Sequence, residues 1–170
     1  SKADQERAAL LSELDGAGED RAALAPWDIP YLLEKARQRR YAINDREVSQ
    51  YLPLESVIDA AFYVAGKLFG LTFVLLADAV AYHPDVRVWE VYRNDKRIGF
   101  FLGDYYSRPS KRAGEWTDAY RDRPSSAPVV ANVLNVIKPR DGEKALLRWQ
   151  EAKTVFHELG HALHALLSDV

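Results

Sequence analysis

Apolar residues recur three or four positions apart in several stretches of the chain, which is the spacing of one face of an α-helix. The clearest of these stretches places Val57, Ala61, Val64 and Leu68 on one face and is followed by Gly70. Glycine adopts the left-handed conformation that ends many helices, so we expect the helix to stop there. Helices are predicted for residues 2–14, 28–42 and 53–70, for a short turn at 44–50, and from about residue 148 onwards.

Between the helical stretches the pattern changes to the two-residue alternation that is typical of β-strands. Residues 86–92 alternate in this way, and the sequence IGFFLGDYY at 98–106 follows after a turn, so we predict a β-hairpin. The sequence VVANVLNVI at 129–137 predicts a further strand. These elements predict an α+β fold in which helices outnumber strands and one small, mostly antiparallel sheet lies beside the last helix.

The last predicted helix has two distinct faces. Val155, Leu159, Ala162 and Leu166 fall on one narrow stripe at 100° per residue, which predicts the buried face. The opposite side carries polar residues and three of the four histidines of the chain: Gln150, Lys153, Thr154, His157, His161, His164 and Ser168.

His157, Glu158 and His161 on this helix form the pattern H-E-x-x-H. Four residues advance a helix by about 400°, so the two imidazoles point the same way, one turn apart, and can bind one Zn²⁺. Zinc lowers the pKa of a bound water from 15.7 to about 7, and a neighbouring carboxylate can then take its proton. The pattern therefore predicts His157 and His161 as metal ligands and Glu158 as the catalytic base of a hydrolase.

Two other interpretations of these histidines exist. The first is a solvated polar face that carries them without a metal, but an acid directly after the first histidine favours the metal site. The second makes His164 an additional ligand. At 1.5 Å per residue, His164 lies about 10 Å along the helix from His157, too far for both to reach one ion, so we predict a supporting role for it. A catalytic zinc usually has three protein ligands, and this chain offers two.

Composition narrows the class of protein. With 48% hydrophobic and 28% charged residues, the 170-residue chain is typical of globular proteins that form one domain. A net charge of −2 without a basic block predicts neither a nucleic-acid partner nor a membrane partner, and no apolar run approaches the roughly 18 residues of a membrane span. The absence of cysteine excludes disulfides and fits a reducing compartment, so we expect a cytoplasmic location.

Several separate motifs resemble, in the same order, the central part of bacterial peptidyl-dipeptidases of the thimet-oligopeptidase superfamily. They include YLPLESVIDAAFYVAGKLFGLTF, GFFLGDYYSRPSKRAGEW, PVVANVLNVIKP and the segment around HELGH, and together they cover nearly everything from Pro26 onwards. The resemblance implies a mostly helical zinc peptidase that binds one zinc ion, cleaves short unstructured peptides inside a deep channel and releases C-terminal dipeptides. It assigns zinc binding to His157 and His161 and the role of base to Glu158.

The resemblance also implies what this chain lacks. Such peptidases take their third zinc ligand from a glutamate on a following helix, and they use downstream tyrosine and histidine residues that have no counterpart here. Thr117 replaces a usual methionine, and the chain contains no methionine at all. We therefore expect residues 1–170 to be part of a single zincin-like domain truncated at both ends, inactive without the missing C-terminal part. Whether the chain is natural, truncated or engineered stays open.

Two alternatives to a peptidase remain at this stage. The first is a non-catalytic structural or binding module that retains the H-E-x-x-H helix. The second is a metal-dependent hydrolase of another substrate class, because the motif alone does not specify the substrate. If the protein is a peptidase, an extended peptide could pair with a free strand edge, and the strand at 129–137 is our candidate for that edge.

Overall fold

A computed structural model describes residues 2, 5, 8, 25–42, 44–121 and 127–168 of the chain. The predicted helix at 2–14 lies largely outside these residues. Contacts group the chain into two compact units, 1–48 and 49–170. The helices are α1 (Ile29–Tyr41), α2 (Asp45–Gln50), α3 (Leu54–Phe69) and α4 (Trp149–Leu167), and the strands are β1 (Leu71–Leu75), β2 (Arg87–Arg93), β3 (Lys96–Tyr106), β4 (Trp116–Arg121) and β5 (Val129–Val136).

The helix boundaries agree with the sequence pattern. α1 has a proline in its first turn, where the missing N–H costs no hydrogen bond, and it ends at Ala42 in the left-handed conformation. α3 ends at Gly70, which has a φ of 67° and donates its N–H to the carbonyl of Gly66 at 2.9 Å. No helix in the described ranges is long and apolar enough to cross a membrane.

The five strands form one sheet in the order β1-β2-β3-β5-β4. Three neighbouring pairs are antiparallel, and the pair β3–β5 is parallel, so the expected mostly antiparallel sheet is confirmed. The predicted hairpin is also confirmed as β2 and β3. Its turn residues Asn94 and Asp95 both have positive φ, 49° and 59°, which are the dihedral signs that a two-residue hairpin turn requires.

Two strands were not predicted, β1 and β4. The α+β fold class is confirmed, although the four helices between residues 29 and 167 do not outnumber the five strands described there. β1 follows Gly70 directly, and its five residues are too few to show a period of their own. β4 pairs with β5 on one side only, and its residues are half-buried or exposed, so apolar alternation is weak.

The candidate for a free strand edge was wrong. β5 lies between β3 and β4 and pairs with both, so neither of its edges is available to a peptide. The parallel pairing that encloses β5 joins strands distant in sequence, which local patterns do not encode. At this end of the sheet, β4 is the outermost of the described strands.

The main core lies between one face of the sheet and helices α3 and α4. The predicted stripe on α4 is confirmed, because all four of its apolar residues are buried. On α3, Val57 and Ala61 are buried as expected, but Val64 and Leu68 are 38% and 69% exposed. The face of α3 that packs against the core is rotated from the predicted one and consists of Leu54, Val57, Ile58, Ala61 and Ala65.

Gly99 on β3 allows α4 to pack closely against the sheet. A Cβ atom at this position would lie 2.6 Å from Cδ2 of Leu166 and 2.9 Å from the carbonyl oxygen of Pro128. We expect Gly99→Ala to lower the free energy of unfolding by about 1–3 kcal/mol, the usual cost of overpacking. Urea unfolding measures this change. Gly142→Ala adds a methyl group to an exposed position with open space around it, so it tests the strain of a positive φ alone.

A buried ion cluster forms where β3 meets the loop that follows it. Asp104 is 2% exposed and accepts two hydrogen bonds from Arg108, at 2.7 and 2.8 Å, and one from the hydroxyl of Tyr82 at 2.9 Å. The ammonium group of Lys111, whose side chain is 3% exposed, donates to Oδ1 of Asp104 and to the carbonyl oxygens of Asp104 and Tyr106. The cluster therefore ties residues 107–111 to the sheet.

Candidate active site

Helix α4 carries all three residues of the H-E-x-x-H motif. Its first turn is fixed by Glu151, whose carboxylate accepts the backbone N–H of Arg148 at 2.7 Å and the guanidinium of the same residue at 2.8 Å. Its apolar stripe packs against the sheet and α3. With its start and its inner face fixed, the helix turns His157 and His161 away from the core.

His157 and His161 lie side by side on the exposed face of α4. Their Nε2 atoms are 3.1 Å apart, and their rings are nearly perpendicular, at 82° with 4.8 Å between centroids. At this distance, one ring can donate its N–H to the other. The structure therefore brings together the two imidazole nitrogens that the sequence predicts as metal ligands.

The spacing of these nitrogens also fits a shared zinc ion. Tetrahedral zinc at about 2.0–2.1 Å from each nitrogen separates two ring nitrogens by about 3.3–3.4 Å, so small ring rotations from the 3.1 Å seen here suffice. Among the described residues, no group of three or more His, Cys, Asp or Glu side chains could hold a metal ion. Within these residues, the two imidazoles therefore have no third side chain of these types placed to share an ion with them.

Glu158 lies beside the histidines but is turned into the protein, with only 7% of its surface exposed. Its Oε2 atom and the Oγ1 atom of Thr117 on β4 are 2.8 Å apart. The backbone carbonyl oxygen of Glu158 is also 2.8 Å from Oγ1 of Thr117, and it accepts from Nδ2 of Asn132 on β5 at 2.9 Å. Nδ2 of Asn132 also donates to Oγ1 of Thr117 at 2.8 Å.

Thr117 and Asn132 were not predicted as site residues. Asn132 is 3% exposed in the middle of the apolar strand VVANVLNV, and an amide within an apolar strand is a sequence signal for a buried polar contact. Thr117 offers no such signal, because threonine is common in strands. His164, predicted to be a supporting residue, is exposed one turn beyond His161, and its role stays a prediction.

A cleft of about 480 Å³ opens between β4 and the motif helix. Its walls include both the acid and one of the histidines, so a ligand in the cleft contacts the motif from the side of the outermost strand. The lining residues are Glu115, Trp116, Thr117, Ala119, Val130, Glu158, His161 and Ala165.

The chain is similar to known peptidases. The family model described as Peptidase family M3 matches residues 1–170. Dipeptidyl carboxypeptidase of Salmonella typhimurium is 37% identical over 168 residues, which are 96% of this chain and 25% of that protein. Dipeptidyl carboxypeptidase of Escherichia coli is 38% identical over 148 residues, covering 84% of this chain and 22% of that protein. Oligopeptidase A of Escherichia coli is 36% identical over 154 residues, covering 86% of this chain and 23% of that protein. The chain thus spans about a quarter of the length of these relatives.

Proposed function

The chain belongs to peptidase family M3, and from this premise we propose that it forms the metal-binding part of a zinc-dependent metallopeptidase. The observation that carries the proposal is the distance of 3.1 Å between the Nε2 atoms of His157 and His161 on α4. Glu158, which follows His157 in the sequence, lines the adjoining cleft. Such a pair with an adjacent acid is the arrangement that zinc peptidases use.

Each residue of the motif has a distinct role in this proposal. His157 and His161 would hold the zinc, and their Nε2 atoms are the nitrogens that lie close together. When bound, the ion would supply Lewis-acid chemistry toward the scissile carbonyl and a water. Glu158 takes the proton of the attacking water and passes it to the leaving amine, which is general base and then general acid catalysis. Its carboxylate belongs to a buried residue and lies 2.8 Å from Oγ1 of Thr117.

We propose short peptides as the substrates, with release of C-terminal dipeptides. The names of the two dipeptidyl carboxypeptidases support this choice. β4 is the described strand that is outermost beside the cleft, and we propose that an extended peptide pairs with it there, in place of the β5 pairing expected from the sequence. The location that we propose, a reducing cytoplasmic compartment, rests on the absence of cysteine.

We propose further that the 170 residues act only together with the rest of a longer peptidase. The matched relatives are about four times as long, and the described residues provide two of the three protein ligands usual for catalytic zinc. The third ligand and the remaining walls of the substrate channel then come from the missing part. Alone, the chain binds zinc weakly and does not cleave peptides.

Zinc titration of the 170-residue chain tests the two ligands. We expect His161→Ala to weaken zinc binding by at least about 100-fold. Loss of a residue that only hydrogen-bonds a metal ligand already costs up to about 100-fold in metal affinity, and loss of a ligand itself should cost no less. Lys153→Ala is the matched control, because it removes an exposed polar side chain one turn before His157 on the same helix. Equal affinities in the two variants would contradict the assignment of His161.

Peptide cleavage tests the reaction. The complete peptidase is incubated with a peptide blocked at its N-terminus, and the products are identified by mass spectrometry. We expect C-terminal dipeptides and about one zinc per chain by atomic spectroscopy. The absence of both metal and cleavage would favour the non-catalytic module, and cleavage of a different class of bond would favour another metal-dependent hydrolase.

A further inference from the structure

We propose that Thr117 is a positioning residue that holds the carboxylate of Glu158 in its working orientation, and that Asn132 orients Thr117 for this task. The inference deepens the proposed function and rests on it for its catalytic consequence. It begins from the hydrogen bonds among these three side chains, which come from three different elements, β4, β5 and α4.

The number of protons decides which way the hydroxyl of Thr117 points. Nδ2 of Asn132 has two N–H bonds, and its two acceptors are Oγ1 of Thr117 at 2.8 Å and the carbonyl oxygen of Glu158 at 2.9 Å. That carbonyl thus has a donor already. Thr117 has one proton, and Oε2 of Glu158, 2.8 Å away, is the acceptor without another donor in this group. If Thr117 donates to Oε2, each of the three hydrogens, two on Asn132 and one on Thr117, has its own acceptor atom.

The bond fixes a side chain that otherwise has considerable freedom. A glutamate side chain has three rotatable bonds, and ordering it costs conformational entropy. A bond from a hydroxyl to a charged carboxylate is one of the stronger hydrogen bonds in proteins. Thr117 lies on β4, and its Oγ1 atom accepts a hydrogen bond from Asn132, which is 3% exposed. The hydroxyl of Thr117 is therefore held in place by a buried side chain.

The same three residues fix the helix turn of the motif. The carbonyl oxygen of Glu158 accepts from Asn132 on β5 and lies 2.8 Å from Oγ1 of Thr117 on β4, so this turn of α4, between His157 and His161, packs directly against the sheet. Thr117 thus contacts both the backbone and the carboxylate of the same residue. Its removal is expected to loosen the carboxylate first, because Asn132 still donates to the carbonyl.

A double-mutant cycle in the 170-residue chain tests the contact without any need for catalysis. Thr117→Val keeps the size and removes the hydroxyl, and Glu158→Ala removes the carboxylate. Thr117→Val should increase the unfolding equilibrium constant in both backgrounds. We expect this increase to be at least about fivefold larger when residue 158 is glutamate than when it is alanine. If the two increases agree to within about twofold, the proposed contact is overturned.

Kinetics of the complete peptidase test the consequence. We expect Thr117→Val to lower kcat by about 10- to 100-fold with KM changed less than about twofold, because the base is misplaced while substrate binding is not. Thr117→Ser keeps the hydroxyl and should restore kcat to within about threefold. Thr154→Val is the matched control on α4, where the hydroxyl bonds only the carbonyl of Gln150 within its own helix.

The two arms separate the possible failures. If the complete wild-type peptidase cleaves no peptide, the proposed function is overturned. The unfolding cycle in the 170-residue chain still decides whether Thr117 holds Glu158. A peptidase in which Thr117→Val and Thr154→Val have equal kcat overturns the positioning role. If Thr117→Val fails to fold, Thr117→Ala replaces it in both arms, and loss of activity in Thr117→Ser would also contradict the proposal.

Discussion

Glu158→Gln is expected to lower kcat of the complete peptidase by about 10²- to 10⁴-fold, the range that general acid–base catalysis contributes. Glutamine has the shape of glutamate, and its side-chain oxygen can still accept the hydroxyl of Thr117, which is 2.8 Å from Oε2 in the present structure. The amide cannot take a proton from water at any working pH. The variant therefore removes the chemistry and leaves the geometry in place.

Two measurements make this result specific. Zinc affinity of the variant should stay within about twofold of that of the wild type, because the two imidazoles are unchanged. Glu143→Gln makes the same chemical change at an exposed loop position and should leave kcat as it was. Unchanged turnover in Glu158→Gln would remove Glu158 from the role of base, and loss of zinc together with turnover would make the residue structural.

The helices and the hairpin could be predicted because their signals are local. Gly70 ends α3, Asn94 and Asp95 turn the hairpin, and an apolar stripe with Val155 at its start marks the inner face of α4. Each of these signals lies within a few residues of the structure that it specifies. The motif on α4 belongs to the same class, since a separation of four residues alone brings His157 near His161.

The order of the strands and the surroundings of Glu158 could not be predicted in this way. β5 is enclosed by a parallel partner and by β4, and that choice depends on contacts between segments far apart in sequence. Thr117 and Asn132 reach Glu158 from 41 and 26 residues away. Threonine and asparagine in strands carry no sign of their partners, so only the folded arrangement reveals the group.

The ion cluster around Asp104 is a second feature that local patterns concealed, and we expect its disruption to have the largest effect on stability. Burial alone raises the pKa of Asp104, but hydrogen bonds from Arg108, Lys111 and Tyr82 outweigh burial and hold the pKa below its usual value. Burial also lowers the pKa of Lys111 despite its bond to Asp104. The two charges therefore depend on each other.

Asp104→Asn should lower the free energy of unfolding by about 3–5 kcal/mol, the cost of leaving a buried charge without its partner. Asparagine keeps the size of the side chain, but Lys111, 3% exposed, then faces a neutral amide. Asp85→Asn is the matched control, because Asp85 pairs with Lys138, whose side chain is 54% exposed, and such pairs contribute about 0–1 kcal/mol. Urea unfolding of both variants at neutral pH gives the comparison.

A double variant separates charge from packing in this cluster. Asp104→Leu with Lys111→Met replaces the ion pair by apolar groups, which is often far less costly than removing one partner alone. We expect the double variant to be more stable than Asp104→Asn, with a gap that reflects the isolated charge of Lys111. If Asp104→Asn and Asp85→Asn cost the same, the buried pair contributes no more than a surface pair, and residues 107–111 are held to the sheet by other contacts.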